Sequence, residues 1–597
     1  MALIQTKDLQ KEYDVIVVGS GAAGGQTAYT LTMDGAKVLM LEAGRNYVPE
    51  TETPMFNTPD QAPLRGTSTP DKEFGFYDST IDGGWEMPGE PYSSASADPA
   101  QRFWWWRARM LGGRTNHWGR ISLRNGPYDF KPHTRDGLGF DWPIGYDDVA
   151  PYYDKVEMLI GVYGDNDGME NTPNSSPGCL LPPPKPRAGE LLIRKHAKKL
   201  GVPVIAAHRA VLTQQLDHKR LPALLHPGNE RAQKILAESM RSRAACFWAT
   251  DCGRGCSIKA TYQSTTVHLP PAMATGNLDI LTQAMVREVE LDKRGLATGV
   301  VFIDKTSGKE HRAKARVVVL AASACESVRI LLNSKSTQFP HGLANSSGKV
   351  GKYLMDTVGS PVTGQVPALE NLPPHNEDGA GGIHVYSPWW LYKDAAQLGF
   401  ARGYHIEIGT GRRMPSVGSM GSMASFAGGY GRKLKEDMRR YYGSFVGMAG
   451  RGEMIPNEDS YCEIDPAAKD KWGIPTLRFH WKWSEHETRQ AAHMQKTFTD
   501  IIEAMGGKVQ GGPELEGRKA IAPGGFIIHE IGGAIMGADP KTSVVNQWLQ
   551  SWDVKNLFIT DGAPFPSNAD KNPTLTIMAL AWRSADYMLQ AMKRREL

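Results

Sequence analysis

The chain has 597 residues, with 68 basic and 64 acidic side chains and a formal net charge of +4. This length allows two or more domains and the burial of a large cofactor, while the near balance of charge excludes a nucleic-acid track and a polybasic membrane patch. No stretch reaches the ~18 consecutive apolar residues of a membrane-spanning helix. We therefore expect small neutral partners, no nucleic acid and no direct membrane insertion.

Residues 13–45 predict a βαβ unit with a ligand at its turn. The β-branched run 15–18 is typical of a strand buried on both faces, and a helical pattern leads from it to a second apolar strand at 37–41. Between the first strand and the helix stand three glycines in G-x-G-x-x-G spacing: Gly19, Gly21 and Gly24. A glycine-rich turn without a ligand is the alternative, but it does not explain strand, helix, second strand and acid in register.

Each part of this unit has a physical role in binding a dinucleotide. Gly19 permits the tight turn, Gly21 lets a pyrophosphate approach the backbone, and Gly24 lets the helix pack on the strand. The helix N-terminus offers N–H groups to the phosphates, and Glu42 can accept a hydrogen bond from a ribose. The unit is expected to contribute these residues to a cofactor site: Gly19, Gly21, Ala22, Ala23, Gly24, Glu42 and Ala43.

An irregular segment and an aromatic segment follow. Residues 46–100 are rich in Pro, Gly, Asp and Thr without a sustained period, and we expect an excursion over the surface, such as a lid. Residues 103–107 (FWWWR) then precede the paired glycines of 110–119 (MLGGRTNHWG). Large rings beside paired glycines indicate a wall where the backbone passes close to a flat group, with core packing as the alternative for each Trp.

The rest of the chain alternates between α/β patterns and a period of two. We predict helices at 142–162, 191–200, 323–334 and 574–588, strands within 278–301, 313–322 and 557–559, and antiparallel strands at 403–408 and 477–483. The α/β strands lie far apart in sequence, so the material between them should form an inserted domain. The expected fold is α/β, with a Rossmann-like dinucleotide-binding domain built from discontinuous segments and an inserted α+β substrate domain that contains an antiparallel sheet.

The chain resembles the glucose-methanol-choline (GMC) oxidoreductase family over nearly its whole length. Four features carry the resemblance: the βαβ unit, Gly112-Gly113 with His117-Trp118, the helix entered at Trp142-Pro143, and the run 529–588. The resemblance implies FAD held by the dinucleotide fold and an alcohol substrate under the antiparallel sheet. Segments 1–45, 101–125, 240–345 and 521–597 are then expected to bind FAD, and segments 46–100, 126–239 and 346–520 to form the substrate domain with its lid and loops.

The run 572–576 (NPTLT) is similar to sugar-oxidising members, which have Asn at the second active-site position where many others have His. Oxidising an alcohol requires a base within hydrogen-bond reach of the hydroxyl while hydride leaves the carbon. His529 suits this role because its ordinary pKa of about 6.5 leaves it largely neutral at pH 7. Asn572 can donate to the same oxygen and hold the C–H toward the flavin. A satisfied structural histidine, and a turn residue before Pro573, are the alternatives.

The resemblance also implies cofactor contacts outside the first turn. Thr574 opens the last predicted helix, whose N–H groups can stabilise the charge that develops on reduced FAD. Asp561 corresponds to a residue near the ribityl and pyrophosphate groups, and His117 to the position where some members attach FAD covalently; for His117 a bond, stacking and hydrogen bonding all stay open. The further cofactor residues expected are Gly113, Asn116, His117, Val286, Asp561, Gly562, Asn572, Pro573 and Thr574.

Three of the six cysteines lie close together in sequence: Cys246, Cys252 and Cys256. A structural zinc site needs four ligands, for which His268 is the one close addition, whereas three thiols suit a [3Fe–4S] cluster. The spacing resembles that of FAD subunits of bacterial membrane-linked sugar dehydrogenases, in which the cluster passes electrons to a haem subunit. Ala249 stands where related glucoside 3-dehydrogenases often carry a further Cys. Free buried thiols or a Cys252–Cys256 disulfide are the alternatives.

The expected function is a dehydrogenase that oxidises a secondary hydroxyl of a sugar or glycoside, most directly at C3. An oxidase that returns electrons to oxygen and a non-redox, flavin-containing lyase are the alternatives. The opening residues have no basic segment followed by an apolar run, so no secretory signal is expected. By the same resemblance we expect periplasmic export with a small signal-bearing subunit and a cytochrome c-type electron acceptor; cytoplasmic residence is the alternative.

Overall fold

The structure is a computed structural model that describes residues 3–53, 61–70, 75, 80–247, 252, 255–372, 382–412 and 417–597. Part of the predicted lid at 46–100, and Ala249 in the cysteine segment, lie outside the described residues. Within the described part of the chain, every helix is too short or too polar to cross a bilayer.

A seven-stranded sheet forms around the first strand, Tyr13–Val18. Val15, Ile16 and Val17 are completely buried, as the apolar run predicts for a strand covered on both faces. Across the sheet the strands are Leu278–Leu281, Val38–Leu41, Tyr13–Val18, Glu310–Leu320, Ala297–Asp304 and Ala284–Leu291, with Leu557–Ile559 pairing beside the end of Glu310–Leu320. The core of the sheet thus collects strands from three distant parts of the chain.

Strand Glu310–Leu320 joins two pairing patterns. Its second half runs parallel to Tyr13–Val18 and to Leu557–Ile559, while its first half is antiparallel to Ala297–Asp304. The predicted α/β class with a discontinuous dinucleotide-binding sheet is confirmed by this arrangement.

The other large sheet has six antiparallel strands. In order they are Lys508–Val509, Val358–Gln365, Phe445–Gly452, Tyr404–Gly409, Val385–Ser387 and Ile205–Ala206. The strand predicted at 477–483 forms elsewhere: Pro475–His480 pairs with Tyr461–Lys469 and Ser93–Ser94 in a separate small sheet. A two-stranded pairing joins Gly83–Gly84 to Arg107–Ala108.

The helix after the first turn, Ala22–Met33, packs beside the C-terminal helix Thr574–Lys593. The other α-helices are Pro49–Glu52, Pro127–Phe130, Pro132–Asp136, Tyr146–Ile160, Ala188–Ala197, Arg220–Leu225, Glu230–Arg241, Ser264–Val267, Leu269–Ala274, Ala324–Asn333, Val417–Ala427, Gly431–Tyr441, Glu485–Ala504 and Gly517–Ala520. Short 3₁₀ turns are Thr6–Asp8, Pro63–Gly66, Pro99–Gln101, Gly113–Asn116, Lys198–Leu200, Pro367–Leu369 and Ala395–Gln397.

Candidate active site

A long cavity lies at the carboxyl ends of the parallel strands. Its wall includes residues that directly follow those strands: Gly19 after Tyr13–Val18, Glu42 after Val38–Leu41, Ala321 after Glu310–Leu320, and Asp561 just beyond Leu557–Ile559. This is the edge at which open α/β sheets bind their ligands, because the chain there turns from strands into loops and helix N-termini.

The glycines of the first turn have two different reasons to be glycine. Gly19 has a φ of +101°, and a Cβ on Gly24 would collide with the Gly19 carbonyl, so the turn and the helix packing require both. A Cβ on Gly21 would meet no protein atom within 4 Å, although Gly21 lines the cavity. The space beside the Gly21 backbone fits the close approach of a pyrophosphate, as FAD requires.

Two long helices begin at this cavity. Ala22–Met33 starts after Gly21, and Thr574–Lys593 starts after Pro573, and the first residues of both line the wall. The first four N–H groups of a helix have no partner within the helix, and the helix dipole adds partial positive charge there. Both termini can therefore bind negatively charged groups of a cofactor.

Glu42 lies in the wall at the end of the second strand. Its carboxylate accepts hydrogen bonds from the backbone N–H groups of Ser20 (3.2 Å) and Gly44 (2.7 Å), and from the Ser20 hydroxyl. Burial raises the pKa of Glu42, and these hydrogen bonds act against that rise. Because a carboxylate has about four acceptor sites, Glu42 keeps capacity for a ribose hydroxyl.

Most of the residues predicted to bind the cofactor line this one cavity. They are Gly19, Gly21, Ala22, Ala23, Glu42, Ala43, Gly113, His117, Val286, Asp561, Gly562, Asn572, Pro573 and Thr574. Gly24 instead lies behind the turn, against Gly19. Asn116 is also away from the wall: it is fully buried and donates to the Leu111 carbonyl at 2.9 Å, so it supports the adjacent 3₁₀ turn.

His117 stands in the wall beside Trp106, one of the rings of the aromatic segment. Trp106 Nε1 donates to His117 Nε2 over 3.1 Å, and the two rings meet edge to face with their centroids 5.7 Å apart. Nε2 is therefore an acceptor, and a neutral His117 carries its proton on Nδ1. The indole thus fixes the orientation of His117 in the wall, while a covalent bond to FAD stays a prediction.

The predicted catalytic pair meets at the same cavity. His529 Nε2 lies 3.4 Å from Asn572 Nδ2, and both residues line the wall. His529 belongs to the loop that ends in a bridge between Met355 and Ile531, and Asn572 directly precedes the N-terminus of the last helix. Burial, followed by the positive charge of Arg451, lowers the pKa of His529 to about 3, so its imidazole is neutral at pH 7.

Two residues that were not predicted complete this cluster. Glu407 Oε1 accepts from Asn572 Nδ2 at 3.2 Å, and Glu407 Oε2 pairs with Arg451 Nη2 at 2.9 Å. Burial acts to raise the pKa of Glu407, but the charge of Arg451 and the contacts with His405 and Asn572 together outweigh burial, and the pKa lies below the ordinary value. Glu407 is therefore an ionised, buried carboxylate next to the catalytic pair.

A sequence signal for Glu407 exists in the alternating strand Tyr404–Gly409. His405 and Glu407 are two residues apart and so share one face, and an acid in the middle of a buried strand is rare unless it is paired. Its partner Arg451 comes from the neighbouring strand, opposite His405, and the pairing of the two strands cannot be read from the alternation.

The structure describes all three cysteines of the cysteine segment. Cys252 and Cys256 are buried and Cys246 is partly buried, and no disulfide joins them. Among the described residues their sulfurs do not form a group within 4.8 Å of one another, the spacing of ligands around a single ion. His268, the further ligand that a zinc site would need, has its Nδ1 3.1 Å from the Tyr262 hydroxyl.

A buried charge cluster lies next to Asn572 in the chain. Carboxylates of Asp129, Glu453 and Asp570 come within 4.8 Å of one another, a spacing that could hold a cation. The ammonium group of Lys571 supplies the positive charge between these carboxylates, 3.0 Å from Asp129 and 2.5 Å from Asp570. Arg135 pairs with Glu453 at 3.2 Å. The cluster is therefore a set of ion pairs internal to the protein.

Family models described as GMC oxidoreductase match residues 13–358 and 456–581. A 2-methyl-1,2-propanediol dehydrogenase of Mycolicibacterium austroafricanum is 29% identical over 591 residues, covering 96% of this chain and 95% of that protein. The fructose dehydrogenase large subunit of Gluconobacter japonicus is 28% identical over 589 residues, covering 97% and 98%. Pyridoxine 4-oxidase from Mesorbium loti superposes with a TM-score of 0.59 at 16% identity over 97% of this chain and 99% of that one, a likeness of fold.

Proposed function

Because this chain belongs to the GMC oxidoreductase family, we propose that it is an FAD-dependent dehydrogenase that oxidises a secondary hydroxyl of a sugar or glycoside to a ketone, with C3 as the carbon attacked. The observation that carries the proposal is the pair His529 and Asn572, 3.4 Å apart on the cavity wall, beside the ion pair of the buried Glu407 with the partly buried Arg451. The name of the fructose dehydrogenase relative adds support for a sugar.

The residues of the cavity wall fit FAD. The first turn around Gly21 would hold the pyrophosphate, Glu42 the ribose, and the N-terminus of Thr574–Lys593 the flavin end. When bound, FAD supplies the acceptor for the hydride that leaves the carbinol carbon. In domain terms we propose that segments 1–45, 101–125, 240–345 and 521–597 serve the cofactor and the remaining segments the substrate.

The proton of the substrate hydroxyl is removed by His529. The imidazole is neutral and its Nε2 faces Asn572, so a hydroxyl bound between them donates to Nε2 and accepts from the Asn572 amide. Two hydrogen bonds to one oxygen fix the direction of the C–H bond. The negative charge of Glu407 nearby stabilises the imidazolium that forms, as its effect on the pKa of His529 indicates.

Glu407 and Arg451 favour a polyol over a simple alcohol. A carboxylate accepts from one hydroxyl and a guanidinium donates to the next, a pattern that neighbouring hydroxyls of a sugar ring can satisfy. A substrate with a single hydroxyl would cover these two charged groups without forming hydrogen bonds to both, which costs binding energy.

The test is anaerobic mixing of the FAD-loaded enzyme with named probes while the visible absorbance of the flavin is followed. Methyl β-D-glucopyranoside, D-glucose and D-fructose are expected to bleach the flavin and 2-methyl-1,2-propanediol to do so more slowly, and NMR of the glucoside product should show a 3-keto sugar. His529→Ala should slow bleaching by roughly 10²- to 10⁴-fold, the usual contribution of a positioned base. Bleaching within about tenfold of the parent rate would refute the assignment of His529.

The same experiment separates the alternatives. An oxidase would be reoxidised rapidly by air with production of hydrogen peroxide, and a lyase would never bleach with any substrate. The dehydrogenase we propose should be reoxidised slowly by air and rapidly by an artificial one-electron acceptor such as ferricyanide.

We further propose that Cys246, Cys252 and Cys256 hold a [3Fe–4S] cluster that carries electrons onward. No disulfide joins the three cysteines, and the buried guanidinium of Arg243 interacts with Cys256, which suits a negatively charged cluster. Anaerobically purified protein should contain iron and acid-labile sulfide, and Cys252→Ser should lose both. Cys179→Ser, at an isolated buried cysteine, is the matched control and should keep them.

A cluster of this kind implies a partner for its electrons. We propose a cytochrome c-type acceptor and a small signal-bearing subunit that takes the folded protein to the periplasm. Fractionation of cells that make this chain with and without such a subunit tests the location: activity should move to the periplasmic fraction only in its presence, and activity in the cytoplasm in both cases would contradict it.

A further inference from the structure

The two ring nitrogens of His529 face different partners. Nε2 points to the Asn572 amide at 3.4 Å, and Nδ1 lies 3.0 Å from the hydroxyl oxygen of Thr357. A neutral imidazole carries one proton, and only the nitrogen without it can act as a base. The chemistry proposed above therefore depends on which nitrogen holds the proton.

Glu407 decides the orientation of the Asn572 amide. An ionised carboxylate can only accept hydrogen bonds, so the atom of Asn572 that lies 3.2 Å from Glu407 must be the Nδ2 donor. The second hydrogen of that same Nδ2 faces His529 Nε2. Nε2 must then be the acceptor, and the ring proton belongs on Nδ1.

Thr357 completes the assignment from the other side. It is buried, directly before strand Val358–Gln365, and its Oγ1 can accept the hydrogen bond that Nδ1–H donates. We infer that Glu407 and Thr357 are positioning residues that act from opposite ends to hold the proton of His529 on Nδ1, so that the Nε2 lone pair faces the substrate hydroxyl. The position of the ring proton does not depend on the proposed function, whereas the role of Nε2 in removing the substrate proton rests on it.

The backbone around His529 is held as firmly as the ring. Asp356 accepts from the N–H groups of His529 (2.9 Å) and Ile527 (3.2 Å), and Arg114 donates to the Ile528 carbonyl at 3.3 Å. Ile528 between them has a φ of +64°, a conformation that a β-branched residue adopts only when its surroundings impose it. With the backbone fixed, the tautomer and the side-chain hydrogen bonds decide which nitrogen is presented.

Three variants test the assignment. Thr357→Val removes the hydroxyl that accepts from Nδ1–H and keeps the shape of the side chain. Glu407→Gln introduces an amide N–H donor at the position of the carboxylate. This donor favours the orientation of the Asn572 amide in which its oxygen, and not its nitrogen, faces Nε2. Both should shift the ring proton toward Nε2 and slow flavin reduction by roughly 10- to 100-fold, less than full loss of the base. Thr357→Ser keeps the hydroxyl and should restore the parent behaviour. Thr363→Val, at an exposed threonine of the same strand, is the matched control.

The primary readout needs no substrate. Nitrogen NMR of protein with ¹⁵N-labelled histidine, with the signals of His529 identified by their loss in His529→Gln, distinguishes a protonated ring nitrogen from an unprotonated one. The parent, Thr357→Ser and Thr363→Val should show a protonated Nδ1 and an unprotonated Nε2. A parent with its proton on Nε2, or signals unchanged in both Thr357→Val and Glu407→Gln, would overturn the inference.

The kinetic readout is the anaerobic rate of flavin bleaching by methyl β-D-glucopyranoside, read together with its saturation constant. Thr357→Val should lower the limiting rate and leave the saturation constant nearly unchanged, because Thr357 acts through His529. A shifted tautomer without a slower rate would refute the catalytic consequence. If no probe bleaches the parent while the tautomer is as stated, the proposed function fails and the assignment of the proton stands.

Discussion

Arg451 influences the pH range in which the imidazole of His529 is unprotonated. Its positive charge is, after burial, the main cause of the low pKa of His529, and it also pairs with Glu407. Removing Arg451 takes away the positive charge that destabilises the imidazolium of His529. It also leaves the negative charge of Glu407, which stabilises the imidazolium, without its arginine partner. Both changes raise the pKa of His529 from its value of about 3.

The sign of the resulting pH effect is defined. A base works when unprotonated, so His529 in the parent is available throughout pH 5–8, whereas in Arg451→Met a growing fraction is protonated as the pH falls. We expect the ratio of variant to parent flavin-reduction rates to decrease from pH 8 to pH 5. Arg478→Met, which removes an arginine paired with Glu463 on the separate small sheet, should show a constant ratio. A constant ratio in both variants would exclude electrostatic control by Arg451.

Sequence could predict His529 and Asn572 because each stands in a motif with neighbours in fixed register. Glu407, Arg451 and Thr357 have no such motif: two lie in different strands, Thr357 lies just before a third, and they meet at the pair only after the antiparallel sheet has formed. Their chemistry depends on distances of about 3 Å between side chains far apart in the chain. Residue types and periodicity contain no information on those distances.

The first turn makes a sharper prediction than its glycine pattern alone. Gly21→Ala places a methyl group in space that no protein atom occupies, so the apo fold should be unaffected while FAD retention falls. Gly24→Ala forces a collision with the Gly19 carbonyl and should destabilise the fold itself. Circular dichroism and thermal unfolding of the apo proteins, together with FAD content after gel filtration, separate the two effects. Full FAD content in Gly21→Ala would show that no phosphate approaches this backbone.

Elements were predictable where one pattern dominates a segment. The buried β-branched run became Tyr13–Val18, and the apolar C-terminal pattern became helix Thr574–Lys593. The alternation at 477–483 also predicts a strand, which the structure has at Pro475–His480, but it does not predict that this strand belongs to a separate three-stranded sheet. Alternation of apolar and polar residues indicates that one face of a strand is buried, but it does not identify the strand that pairs with it.

Across the whole molecule, the charge cluster around Lys571 ties together distant stretches of chain. Asp129 belongs to the short helix Pro127–Phe130, Glu453 follows a strand of the antiparallel sheet, and Asp570 and Lys571 directly precede Asn572. Removing the cation from such a buried group leaves uncompensated carboxylates, which typically costs about 3–5 kcal/mol.

Lys571→Met should therefore lower the free energy of unfolding by several kcal/mol, measured by urea denaturation of the FAD-loaded protein. Lys482→Met removes an exposed lysine paired with Asp459 and is expected to change it by no more than about 1 kcal/mol. Similar values for the two variants would show that Lys571 contributes no more to stability than a lysine of an exposed ion pair.

The order of the strands in the sequence also determines the order in which parts of the cavity can form during synthesis. Strand Leu557–Ile559 and the helix Thr574–Lys593, which provide part of the cavity wall, leave the ribosome long after Tyr13–Val18 and the first turn. A nascent chain can therefore form the phosphate-binding turn early but cannot enclose the flavin until residues beyond 570 have emerged. Cofactor loading is consequently a late event of maturation, and any factor that carries the loaded protein elsewhere has to recognise it after translation.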